Sequence, residues 1–185
     1  MKQKNKKSKK ESSEIKWFIT IFVVAFILSI IFSFISTSAI TGLSTLPAII
    51  VLLVVIFLGI IFDIVGVAVT VGKESDFNAM AAKKIPGSKT SLKLIKNSAK
   101  VSNICADVIG DIAGVLSGSI SALISMKITS SMGLSFDIQF IISAIVASLT
   151  IGGKAIGKGI AQSKSTQIVG FAGKVLKIFS RENKT

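Results

Sequence analysis

The chain has 185 residues, half of them hydrophobic, with a mean hydropathy of +0.75 and a net charge of +13. That hydropathy belongs with membrane proteins rather than soluble domains. The absence of His and Tyr, with a single Cys105 inside an apolar stretch, excludes disulfide frameworks and His or Cys metal sites.

Residues 1–16 are Lys-rich and polar, and read as a disordered cytoplasmic tail. Trp17 opens an apolar run that continues to Ala39, with the indole where an interfacial anchor would sit. Two readings meet here. The basic start, apolar run and small residues Ser36 to Ala39 fit a signal peptide, whereas the length of the run fits a retained span. An uncharged connection leads to a second span over 46–71, with Pro47 in its first turn.

Residues 75–100 change character. Lys83, Lys84, Lys89, Lys93, Lys96 and Lys100 alternate with Phe77, Met80, Leu92, Leu94 and Ile95, and Pro86-Gly87 divides the segment. The pattern predicts a pair of amphipathic juxtamembrane helices lying along the cytoplasmic membrane surface, with a solvated loop as the alternative. A third span over 101–128 carries the small-residue stripe Gly110, Gly114, Gly118, which suits close approach of a neighbouring helix. Its serines, Ser117, Ser119, Ser121 and Ser125, are expected to bond to their own helix backbone.

A fourth span over 134–158 runs into Gly152-Gly153-Lys154-Ala155-Ile156-Gly157-Lys158-Gly159, read as a flexible or non-α end. Residues 162–185 form a basic amphipathic helix and a polar tail. Lys and Arg fall seven in the N-terminal tail, seven in the long loop and seven from Lys154 onward, with one between the third and fourth spans. Four spans with both termini in the cytoplasm satisfy the positive-inside rule at every connection. The fold class is therefore an all-α, multi-pass protein of the cell membrane with two juxtamembrane helices. The grouping of Lys beside apolar spans makes the lipid bilayer, rather than nucleic acid, the partner of the positive charge.

Three acids lie inside the apolar spans: Asp63, Asp107 and Asp111. An ionised acid in hydrocarbon costs several kcal/mol even on lenient insertion scales, roughly 3 kcal/mol at mid-span. Asn103, Asp107 and Asp111 recur every fourth residue and share one helix face. Together with Asp63 they could hold a hard divalent cation through oxygen ligands. The competing reading has the acids neutralised by Lys154 or Lys158, or wetted in a vestibule. No nucleophile–base arrangement, phosphate loop or zinc spacing is present, so the chain does not read as an enzyme.

The order of Phe62-Asp63-Ile64-Val65-Gly66-Val67-Ala68, Ile109-Gly110-Asp111 and Gly153-Lys154-Ala155-Ile156-Gly157-Lys158-Gly159-Ile160-Ala161 resembles the transmembrane domain of the CorB/CorC and cyclin M (CNNM) magnesium transporters. The resemblance covers residues 46–161, with residues 17–39 as an extra span. It implies magnesium transport or binding, a homodimer, and a site at Asp63, Asp111 and the position of Lys154. There the family shows Ser, Asn and Glu. A Lys ammonium cannot ligate a cation, so Lys154 becomes a counter-ion, either locking the bundle or pointing to the cytoplasmic rim. The nucleotide-binding CBS domains of the family have no counterpart here. The alternative function is a non-transporting membrane interaction or regulatory subunit held by Asp–Lys pairs.

Overall fold

The structure, a computed structural model, describes residues 2–133 and 138–179. Among the described residues it is helical, without a strand. The long helices are α1 (Lys2–Thr41), α2 (Thr45–Val71), α6 (Asp111–Met132) and α7 (Gln139–Ser163). Short helices α3 (Glu74–Ala82), α4 (Ser88–Lys96) and α5 (Ser98–Ser102) connect α2 to a π-helical segment, Asn103–Gly110, that runs directly into α6. Helix α8 (Ser165–Phe179) follows α7 after the single residue Lys164.

Four stretches are long and apolar enough to cross a membrane: Ile15–Phe34, Thr45–Val71, Ser98–Met132 and Gln139–Ser163. Their protein burial ranks them. The third is 56% buried and the first 0%, so the third span forms the middle of the bundle and α1 lies at its edge. Helix α2 packs on the π segment, α6 and α7, whereas α1 packs chiefly on α6 and meets α2 at its C-terminal end through Ile40. Ile21, Ala25 and Leu28 of α1 meet Val108, Ile112 and Leu116. The outward rings Phe18, Phe22 and Phe26 stack along α1, on the side a bilayer would cover.

Three expectations change. The N-terminal tail is not separate from the first span, because helix α1 begins at Lys2. The glycine-rich stretch 152–159 is helical within α7. Its Gly153 and Gly157 sit against Ile60 and Ile64 of α2, and a Cβ at Gly157 would come within 2.6 Å of Ile64 Cγ1. Those glycines serve close helix packing. The small-residue stripe of the third span splits: Gly110 packs inside the protein, while a Cβ on Gly114 or Gly118 would meet nothing within 4 Å. The first residues of the expected fourth span, 134–137, and the polar tail from 180 lie outside the described residues.

Two clamps hold the ends. At one end, the Lys127 ammonium of α6 donates to the carbonyls of Ile40 (2.9 Å), Thr41 (3.2 Å) and Leu43. A helix C-terminus leaves carbonyls without intrahelical partners, and a cation there suits the helix dipole. Ile40 beneath it is fully buried with Ala48, Leu52, Ile120 and Ile124. The end of α1 is thus built into the bundle, including the residue that follows the small-residue stretch.

At the other end, α3, α4 and α8 close over the ends of α2 and α7. Phe77 and Ile95 enter one apolar cluster with Ala68, Val69, Ala161 and Val169. Phe77 and Ile95 are thereby buried against protein, with Met80, Leu92 and Leu94 partly covered beside them. Gly87, at φ 86°, provides the left-handed turn that starts α4. Ser91 lies within hydrogen-bond reach of the carbonyls of Gly87 (3.1 Å) and Val169 (3.0 Å), and Thr166 of α8 donates to Asp76 of α3 at 3.0 Å. Lys96 pairs with Glu74 at 3.5 Å.

Replacing Lys127 with Met leaves charged-donor hydrogen bonds unmade, and should lower stability by about 2 kcal/mol, with faster proteolysis around residues 41–45. Gly173→Ala places a Cβ 2.8 Å from Gly87 O and should cost about 1–3 kcal/mol by overpacking. Thermal unfolding in detergent and limited proteolysis check both.

Candidate functional site

The buried seam of α2 reads Leu52, Ile56, Gly59, Asp63, Gly66. This 4-3-4-3 spacing puts all five on one helix face. The two glycines set how close the neighbour comes. A Cβ at Gly59 would lie 2.8 Å from Ala113 Cβ, and one at Gly66 would lie 3.1 Å from Ala106 Cβ and 3.3 Å from Ala106 N. Helix α2 therefore approaches the π segment at backbone distance on both sides of Asp63. Asp63 lies on this buried face, between the two glycines.

Asp63 is only 5% exposed, and its Oδ2 has no hydrogen-bond partner. A buried polar atom in that state carries an uncompensated desolvation penalty. Among described side chains it is joined in that condition only by Thr129 Oγ1. The π segment facing it has a wider turn, with N–H groups bonding to the carbonyl five residues back, a form that recurs as local bulges at functional sites.

The other expected residues take different positions. Asp111 begins α6, and its Oδ1 lies 3.6 Å from Lys154 Nζ, with the carboxylate largely exposed and the ammonium largely covered. The same ammonium reaches the Gly110 carbonyl at 3.4 Å. Lys154 therefore pairs with Asp111 and the end of the π segment, not with Asp63. Lys158 and Asp107 are exposed, and Asn103 is half-buried. Within the described residues no three of His, Cys, Asp or Glu gather into one group. Asn103, Asp107 and Asp111 do follow one another up the third span, but on π rather than α geometry over 103–110. The four serines of α6 bond to their own helix, Ser117 to Ala113 O, Ser119 to Val115 O, Ser121 to Gly118 O and Ser125 to Ser121 O.

The arrangement thus has two charged centres. One is an ion pair at the protein surface, Asp111 with Lys154. The other is a lone buried acid, open at one oxygen, between closely packed backbones. Chemically the second can take a proton or a cation. A single carboxylate leaves any hard cation to complete its shell with carbonyl, hydroxyl or water oxygens, a donor set that magnesium accepts because it retains several waters.

Sequence reasoning singled out Asp63 but overlooked its frame. The signal was legible, since Gly59 and Gly66 stand four residues before and three after it. The π segment has no such mark in residues 103–110. Comparison with protein-family models, curated proteins and solved structures returns no match.

Removing the buried charge while keeping its shape should help the empty protein. Asp63→Asn is expected to raise the unfolding temperature without added divalent cations, corresponding to about 1–3 kcal/mol. Lys154→Met should shift stability by less than about 1 kcal/mol, because the partner carboxylate is largely solvated. Differential scanning fluorimetry on the purified chain checks both.

Proposed function

We propose that this chain is an integral protein of the cell membrane that binds or transports a divalent cation, magnesium, with Asp63 as the ligand that takes the ion in the bundle. One observation carries the reading: a carboxylate buried within an apolar bundle presents an oxygen without a donor. Such intramembrane acids mark ion or proton routes. The resemblance of residues 46–161 to the CorB/CorC and cyclin M transporters supports the choice of magnesium. The distribution of Lys and Arg supports four crossings with both termini in the cytoplasm. Gly114 and Gly118, open toward the outside of the protein, support assembly as a homodimer.

In this reading Lys154 is a counter-ion to Asp111 and leaves Asp63 free. Asp107 and Asn103 line the route along the third span, and the ammonium at Lys154 repels a second cation from Asp111. The pairing at 3.6 Å also favours a second reading, a non-transporting interaction or regulatory subunit whose acids are neutralised internally.

Magnesium should raise the unfolding temperature of the purified chain and cross into reconstituted vesicles. Asp63→Asn should abolish both effects, while Asp111→Asn weakens them. An unmutated protein with neither response to magnesium overturns the transport reading and leaves the interaction subunit.

A further inference from the structure

Helix α8 has an outward face that the rest of the protein leaves open. Its inner residues Val169 and Gly173 pack on α4, yet Phe171 and Ile178, seven residues apart, are 70% and 80% exposed. Lys174 stands on α8 within one turn of both Phe171 and Ile178, Lys164 is the non-helical residue that leads into the helix, and both are exposed. No acid occurs between Gln139 and Phe179, or between Lys83 and Ala106, so the surroundings are basic. The nearby acids of α3 are engaged: Glu74 pairs with Lys96, and Asp76 accepts from Thr166.

Position adds a second constraint. Only Lys164 separates α8 from the end of α7, a helix of membrane-crossing length. Helix α8 therefore cannot leave the depth at which α7 exits the hydrocarbon. At the same end, Trp17 opens the apolar run of α1 and Lys100 stands 5.6 Å over its ring, as expected for groups at headgroup level. Aromatic and aliphatic side chains interspersed with Lys at that depth match an acyl boundary below and phosphates above.

We infer that the outer face of α8 is a docking surface for anionic phospholipid, in which Phe171 and Ile178 enter the acyl region while Lys164 and Lys174 hold the phosphate. This surface is independent of Asp63 and of any ion the bundle carries.

The test uses the full chain, delipidated in uncharged detergent, with fluorescent phosphatidylglycerol and phosphatidylcholine as probes. Phosphatidylglycerol should bind preferentially, more weakly as salt rises, and without competition from glycerol phosphate. The double variant Lys164→Gln/Lys174→Gln should lose about fivefold in phosphatidylglycerol affinity for each Lys removed. Phe171→Ser/Ile178→Ser should weaken both lipids. Helical content and elution volume establish that the variants fold. Equal binding of the two lipids by the unmutated chain overturns the inference, as does displacement of the lipid by glycerol phosphate or by a soluble polyanion such as RNA. A folded Lys164→Gln/Lys174→Gln variant with unaltered preference overturns it as well.

Discussion

The arrangement depends on how closely α2 and the π segment meet. Two positions without side chains, Gly59 and Gly66, let the backbones approach until a single added carbon would collide with Ala113 or Ala106. Between them Asp63 is shut away from solvent. Had either glycine been larger, the helices would stand apart and water could reach the carboxylate. Close packing is thus what turns an ordinary acid into a chemically demanding one. It also rules out a cheap rearrangement, since the same glycines that allow contact leave no slack around the charge.

Cations in this molecule work at helix ends. Lys127 gathers the final carbonyls of α1, and Lys154 reaches the Gly110 carbonyl where the π segment passes into α6. Both places present backbone oxygens whose usual partners are missing or displaced, and an ammonium supplies several donors to such a cluster. Two Lys residues within the spans therefore have structural duties. The Lys154 ammonium is accordingly engaged by Asp111 and the Gly110 carbonyl rather than by Asp63.

The closed end of the bundle has its own logic. Helices α3, α4 and α8 share one apolar cluster with the ends of α2 and α7, so the basic residues of this region are held outward by a common core. Ser91, fully buried, joins α4 to α8 through carbonyls of both elements. The positive charge is consequently displayed on a folded platform rather than on a loose loop. A packed platform fixes the relative positions of its Lys residues, which a solvated loop could not do.

Four helices long and apolar enough to cross a membrane, the break at Pro86-Gly87 and the serines that bond within α6 were all legible in the residues, because hydropathy, turn chemistry and hydroxyl back-bonding act locally. The prominence of Asp63 was legible for the same reason: a charge in an apolar run is visible wherever it points. Which acid is buried and which is solvated was not. Asp63 and Asp111 look alike in sequence, yet one faces the glycine-lined seam and the other the surface, and only the packing of α2 against the third span separates them. The close packing of Gly153 and Gly157 within that helix likewise depends on Ile60 and Ile64 standing opposite them. Sequence alone determined that charge lies in the apolar layer; the tertiary structure decided which charge has no partner, because burial is a property of what stands opposite a residue and not of the residue itself.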